Sequence, residues 1–223
     1  LNQEKTPTNY NAPSVGSLLA VPYGSDAPAG YSLYQRGEPK LVWEEKAPVS
    51  VARSAFDGVE VLDGKIYFAG GRHWNSNNNF KLIERYDLSE DHWETLTPMS
   101  LDRGGMAASV LNGKLYALGG MDLKSVEIFD PVSGEWEAGI DLPYVISHTN
   151  AVTANNKIYL VGGRGASGQR LNQTLCFDPS SNQWSSKANM PTARSRAKLV
   201  WFENRIWVIG GNDGGTSKKV ESY

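Results

Sequence analysis

The chain has 223 residues, 40% of them hydrophobic and 21% charged, and a net charge of −2. That balance fits one large or two small globular domains and gives no basis for nucleic acid or an anionic membrane as the partner. A single cysteine, Cys176, rules out an internal disulfide scaffold, and no apolar run approaches the roughly eighteen residues that a membrane-spanning helix needs.

Residues 1–40 read as a linker or surface arm. The stretch is rich in Asn, Pro, Ser, Gly and Ala, with Pro7, Pro13, Pro22 and Pro28, and holds neither a strand nor a helix period for long. Only Ser17–Val21 is apolar enough to dock, and Tyr31–Arg36 alternates weakly, as a short strand would. No basic stretch followed by an apolar run opens the chain, so no signal peptide is read from it, and the compartment stays open. Leu41–Lys46, carrying Trp43, reads as an outer strand ended by Pro48.

From there the chain repeats itself in units of about 49–97, 98–142, 143–190 and 191–223. An aromatic stands three residues before each glycine pair: Tyr67 before Gly70-Gly71, Tyr116 before Gly119-Gly120, Tyr159 before Gly162-Gly163 and Trp207 before Gly210-Gly211. An aromatic–Asp pair follows in three units, as Tyr86-Asp87, Phe129-Asp130 and Phe177-Asp178, and the fourth reaches Tyr223. Six residues after each Asp comes Trp93, Trp136 or Trp184, then a proline, Pro98, Pro143 or Pro191. Paired glycines at a strand end permit positive φ and close backbone approach. The aromatics bring large apolar area to a seam between sheets. Asp130-Pro131 and Asp178-Pro179 start turns. Each unit therefore reads as four strands: a (Met106–Leu111), b (Lys114–Leu118), c (Ser125–Phe129) and d (around Glu135–Ala138).

This set of marks resembles the kelch family of β-propellers over about Leu41–Tyr223. The resemblance implies an all-β fold, a kelch-type propeller of four-stranded antiparallel blades. Two departures stand out: Leu175-Cys176 where other units carry Glu84-Arg85, Glu127-Ile128 and Glu221-Ser222, and a long loop at Arg72–Lys81. Four blades are visible. An N-terminal strand d at Leu41–Lys46 completing a C-terminal a-b-c would close a four-bladed ring; the alternative is that the chain belongs to a larger ring of six or seven.

The resemblance also implies that ligands meet the face built by the d–a and b–c loops. A cation or imidazole stands five residues after each strand-d proline: Arg53, Arg103, His148 and Arg196. If the blades superpose, these four ring the channel mouth, where guanidinium groups favour a carboxylate, a phosphate or an acidic peptide. The competing reading is that each caps carbonyls or pairs with a carboxylate inside the fold. The b–c loops add Arg72, His73, Trp74, Arg164, Arg170, Asn212 and Asp213, of which an exposed Trp beside Arg and His suits a peptide or a sugar face. Enzymatic signals are weak. His73, His92 and His148 lie in different units and show no metal-ligand spacing, and 163–168 (GRGASG) lacks the Lys-Ser/Thr of a phosphate loop. Cys176, inside a predicted strand, reads as a core thiol. Asn172-Gln173-Thr174 fits a glycosylation sequon, which matters only if the chain is secreted.

The expected function is that of a non-enzymatic module binding a protein or peptide, acidic ligands favoured, without metal or cofactor. One alternative is a carbohydrate-active kelch-fold enzyme, of epimerase, mutarotase or oxidase type, with His148 and Asp213 as acid and base. Another is a structural or surface-display module of a larger extracellular protein.

Overall fold

The computed structural model describes the backbone of Val21–Pro22 and Tyr31–Ser32, and residues 43–54 and 58–223 apart from Trp74 and Asn77. The remainder of the 1–40 arm, including the Ser17–Ala20 part of its docking stretch, lies outside the described residues. The chain divides into two units, Leu1–Glu45 and Lys46–Tyr223. In the first, β1 (Val21–Pro22) pairs antiparallel with β2 (Tyr31–Ser32), which takes up the start of the strand expected at Tyr31–Arg36.

The second unit is an all-β propeller of four antiparallel sheets, each a meander in chain order. The first blade is β3 (Val59–Leu62), β4 (Lys65–Ala69), β5 (Ile83–Asp87) and β6 (His92–Thr95). The second is β7 (Ala107–Leu111), β8 (Lys114–Gly120), β9 (Leu123–Asp130) and β10 (Glu135–Ala138). The third is β11 (Asn150–Ala154), β12 (Lys157–Arg164), β13 (Arg170–Asp178) and β14 (Gln183–Lys187). The fourth is β15 (Lys198–Phe202), β16 (Arg205–Ile209) and β17 (Val220–Ser222). Innermost strands contact in the order β3, β7, β11, β15.

Local sequence explains the hairpins. Each a–b turn holds two residues at positive φ, Asp63-Gly64, Asn112-Gly113, Asn155-Asn156 and Glu203-Asn204. That is the two-residue turn whose twist matches a hairpin, and Asn, Asp and Gly tolerate it best. The c–d turns are held by their Asp: the Asp130 carboxylate accepts from the Val132 N–H at 2.9 Å, and that of Asp178 from the Ser180 N–H at 3.0 Å.

Two devices bind one blade to the next. The first is the glycine pair. Gly119 has φ +62°, and a Cβ there would lie 2.5 Å from the Ile146 carbonyl oxygen; the same clash recurs at Gly162 with Arg194 O. The glycines admit the backbone of the next blade's d–a connection, which accepts their N–H groups: Gly120 N to Ile146 O and Gly163 N to Arg194 O, both at 2.9 Å. The second device is the tryptophan. Trp93, Trp136 and Trp184 stack on Tyr86, Phe129 and Phe177, with ring centroids 5.1, 5.2 and 5.2 Å apart. Each indole N–H then donates to the connection that precedes its blade, at Ala47 O, Thr97 O and Ile140 O.

Hydrophobic cores fill the seams between successive sheets. Leu62, Tyr67, Ile83, Ala108 and Phe129 lie between the first and second; Leu111, Leu118, Val126, Leu160 and Phe177 between the second and third; Val161, Leu199, Ile206 and Val208 between the third and fourth. The far face of the fourth sheet carries the same kind of residues, exposed among the described residues. Phe202 is 58% exposed, whereas Leu111 at the same register of the second blade is 2% exposed. Ile209 and Val220 are likewise exposed, and Val59 and Val61 are exposed in the first sheet.

The expected N-terminal strand d departs from this arrangement. The fourth sheet contains three described strands, residues 43–46 carry no strand, and Trp43 is fully exposed. Leu41 and Val42 lie outside the described residues. The residue that does recur in register is Ala47, which serves Trp93 as Thr97 serves Trp136.

Candidate functional site

The d–a connections run across one end of the blades, and their register is set by backbone pairing. Ser54 pairs with Arg72, Ser147 with Arg164 and Ser195 with Asn212, while Met121 N donates to Gly104 O in the second blade. Ser54, Gly104, Ser147 and Ser195 are therefore equivalent. The residues just before them, Arg53, Arg103, Ile146 and Arg194, form one class; two positions on from those, Gly105, His148 and Arg196 form another.

This corrects the ring expected from counting five residues past each proline. That count lands on the first class in the first two units and on the second class in the last two. The last two connections are two residues shorter between the proline and the inward-turning position, which is Ile146 after Pro143 and Arg194 after Pro191. Arg53, Arg103, His148 and Arg196 do not make one ring.

The first class turns inward. Arg103 is fully buried; its guanidinium donates to Glu127 Oε1 at 3.1 and 2.9 Å, Gly119 O at 2.6 Å and Ser125 O at 2.9 Å. Burial alone would raise the Glu127 carboxyl; donation from Ser100 and Arg103 overrides it and holds the group below its ordinary value. The Arg53 side chain is also sealed from solvent, paired with Glu84 at 2.6 Å, its guanidinium 3.9 Å from the centre of the Phe68 ring. Arg194, which the proline count passed over, is fully buried, with Glu221 at 3.2 Å. In the third blade Ile146 replaces the arginine and Leu175 the glutamate, and both sit in one buried apolar cluster. Arg53 and Arg103 each tie their d–a connection to the sheet that follows it, with the guanidinium sealed from solvent.

The second class makes the mouth. His148 N donates to Gly105 O at 2.7 Å, and Arg196 N donates to His148 O at 2.8 Å, so the backbone steps from blade to blade around the axis. All three residues have positive φ, +63°, +50° and +58°. The imidazole lies over Gly105, where any Cβ would meet it at 3.3 Å, and its Nδ1 is 3.1 Å from Ser147 Oγ. It is 7% exposed. Burial, then the positive charges of Arg196, Arg164 and Arg72, push its pKa down to about 4, so it is neutral at pH 7.

Three of the predicted b–c loop residues come to this place or its rim. Arg164 shares a pocket of about 180 Å³ with His148, Ser147, Met121 and Asp122. Its Nε is sealed from solvent and has no hydrogen-bond acceptor among the described residues. Arg72 approaches from the first blade, donating to Ser76 O at 3.1 Å and to the Met121 sulfur at 3.8 Å. Arg170 donates to Asn212 Oδ1 at 2.8 Å, joining the b–c loops of the third and fourth blades. Asp213 is held by Ser217 Oγ at 3.1 Å and Lys219 Nζ at 3.5 Å within its own loop. His73 donates its backbone N–H to Asn78 O, and its Nδ1 is buried without a hydrogen-bond partner among the described residues. Trp74 lies outside the described residues. Below the mouth, Glu60, Ser109, Thr153 and Lys198 line an axial cavity of about 360 Å³, in which Ser109 Oγ and Thr153 Oγ1 bond at 2.8 Å.

Gly105, Ser147 and Asp122 were not singled out from the sequence. A signal existed for Ser147: the pairs Arg53-Ser54, Ile146-Ser147 and Arg194-Ser195 recur and give the correct register.

Four meander sheets set side by side, with Gly-Gly seams, stacked Trp latches and a loop face that converges on one axis, define a kelch-type β-propeller. The kelch motif matches residues 58–100, 102–139 and 147–191, and the chain belongs to that family. Among curated relatives, zebrafish (Danio rerio) Kelch-like protein 15 is 31% identical over 154 residues, 60% of this chain and 25% of that protein. Mouse (Mus musculus) Kelch-like protein 35 is 32% identical over 69% of this chain and 26% of its own length. Beta-scruin of Limulus polyphemus is 29% identical over 56% of this chain and 15% of its own length. The chain thus spans about a quarter of the length of the first of these relatives.

Proposed function

We propose that this propeller is a non-enzymatic binding module that takes a protein or peptide on its d–a/b–c loop face and favours acidic groups there. The observation that carries the reading is the convergence of Arg72, Arg164 and Arg196 on one nearly buried, neutral imidazole. Arg164 lines the pocket with Asp122, and Arg72 and Arg196 add positive charge that acts on His148. A planar guanidinium suits a carboxylate in two-point contact. Membership of the kelch family and the likeness to kelch-like proteins support a binding role in general.

The carbohydrate-enzyme reading, with His148 and Asp213 as acid and base, finds less support. The charges that act on His148 are guanidiniums, and Asp213 is engaged by Ser217 and Lys219.

The test is fluorescence anisotropy with labelled peptides of equal length, one rich in Asp and Glu and one in which these are Asn and Gln. The acidic peptide should bind more tightly, weaken as salt rises, and lose affinity about tenfold or more with Arg164→Gln. Equal binding of the two peptides would remove the acidic preference, and full binding to Arg164→Gln would move the site elsewhere.

A further inference from the structure

We propose that the mouth holds a seat for a single oxyanion beside Arg164 and His148, and that filling the seat is coupled to proton uptake by that histidine. The proposal rests on the binding reading above and goes beyond it, because it fixes the anchoring group and makes its affinity depend on pH.

The geometry carries the first half. Arg164 and Ser147 are locked by a two-way backbone pair, Ser147 N to Arg164 O at 2.9 Å and Arg164 N to Ser147 O at 2.6 Å. The base of the Arg164 side chain is therefore fixed to the connection that carries His148. Its Nε–H is a donor out of reach of water and without an acceptor among the described residues, a state that costs free energy until an acceptor arrives. Arg196 is tied by its own N–H to His148 O. A carboxylate or sulfate group supplies acceptors to donors fixed in this way without reorganising them. The pocket is about 180 Å³, suited to one such group at the end of a side chain.

The second half follows from what surrounds the imidazole. Arg196 from the fourth blade, Arg164 from β12 and Arg72 from the first blade act on it; Asp122, from the turn between β8 and β9, lines the same pocket. The Gly105 turn beneath it carries no charge, and Ser147 offers a hydroxyl at Nδ1. Glu60 and Lys198 stand deeper, along the axial cavity. Burial is the larger cause of the lowered pKa and the arginine charges come second; an oxyanion beside Arg164 offsets the second, so the ring binds a proton more readily when the seat is full. By linkage, protonating the ring then strengthens anion binding by the same factor. With the ring of the empty seat titrating near 4, its upward shift on filling makes affinity rise as pH falls from 7.5 to 5.5.

The probe is sodium sulfate, which keeps its charge over this range, titrated into the whole chain at constant ionic strength. Sulfate affinity is measured by calorimetry at pH 7.5, 6.5 and 5.5, and the His148 ring is followed by its carbon-bound proton resonance. The proposal expects sulfate to bind, affinity to rise several-fold on acidification, and the His148 titration to move upward with sulfate present. His148→Asn, a residue that tolerates positive φ, makes the affinity flat with pH. Arg164→Gln weakens sulfate at every pH. An affinity flat with pH, an unmoved His148 titration, or a pH dependence retained in His148→Asn would overturn the coupling. Sulfate that binds equally well to Arg164→Gln, or not at all, would overturn the seat. An acidic peptide that binds without displacing sulfate leaves the seat standing and removes this face as the peptide site; a peptide that binds while sulfate does not leaves the binding reading standing and removes the seat.

Discussion

Arg103 and Glu127 form a buried ion pair, Nη2 to Oε1 at 2.9 Å, closed from solvent by their own blade. Its counterparts are Arg53 with Glu84 and Arg194 with Glu221, and in the third blade Ile146 and Leu175 take both places at once. Removing one partner of such a pair leaves a charge buried without compensation, whereas replacing both by apolar groups of similar volume is often tolerated. Arg103→Ala should lower stability by about 3–5 kcal/mol. The double variant Arg103→Ile with Glu127→Leu, which copies the third blade, should recover most of that loss. Urea denaturation of the three proteins checks it; a double variant no better than the single one would mean that the pair's bonds to Ser100, Gly119 and Ser125 matter more than its charge.

The glycine seams give a prediction with an internal control. Gly119 and Gly113 both have positive φ, +62° and +73°, but a Cβ at Gly119 meets Ile146 O at 2.5 Å while one at Gly113 meets nothing within 4 Å. Gly113→Ala should therefore lose about 1 kcal/mol, the backbone penalty alone. Gly119→Ala adds a clash that the neighbouring blade must relieve by moving, and should lose about 2–4 kcal/mol. Equal losses in thermal melts would show that the blades are not pressed together at this seam.

Most of this architecture was legible because the marks that repeat are the ones that carry packing: Gly119-Gly120, Phe129 and Trp136 recur since every blade meets its neighbour in the same way. The mouth was harder to read. Proline starts each d–a connection but does not set its length, so Arg103 and His148 stand at the same count from a proline and in different places in the fold. The departure at Leu175 was visible as a missing glutamate. Its meaning required knowing that Ile146 stands where Arg103 does, which two non-adjacent stretches reveal only once they are superposed. That Arg164 and Arg196 both act on His148 depends on the way neighbouring blades are set around one axis, a relation that no spacing within a single repeat encodes.

Each tryptophan latch joins a stacked ring to one hydrogen bond across blades, and the two parts can be separated. Trp136→Phe keeps an aromatic on Phe129 and removes the 2.7 Å bond to Thr97 O, which should lower stability by about 1 kcal/mol. Trp136→Ala loses the stack as well and should cost about 2–3 kcal/mol more, less than a fully buried aromatic because the indole is only partly covered. Chemical denaturation distinguishes the two steps; a Phe variant as weak as the Ala variant would assign the whole latch to its hydrogen bond.

His148 also ties stability to pH without any ligand. Burial and three arginines lower its folded pKa to about 4 from an ordinary 6.5, so between these values the unfolded chain binds the proton more readily than the folded one. Unfolding is therefore favoured as pH falls through that window, by about 2 kcal/mol at pH 5 relative to pH 7, and the contribution is fully present above 6.5. The carboxylates do not mimic this effect. Asp87, held by Lys65 and Ser89, and Asp178, held by Lys157 and Ser180, titrate well below the usual carboxylate range, so what they contribute is lost only as pH falls below about 4. Melting temperature measured from pH 7.5 to 4.5 should fall in the parent chain and stay nearly flat in His148→Asn. A parallel fall in both would place the acid-sensitive group elsewhere and remove the arginine field over His148 as its cause.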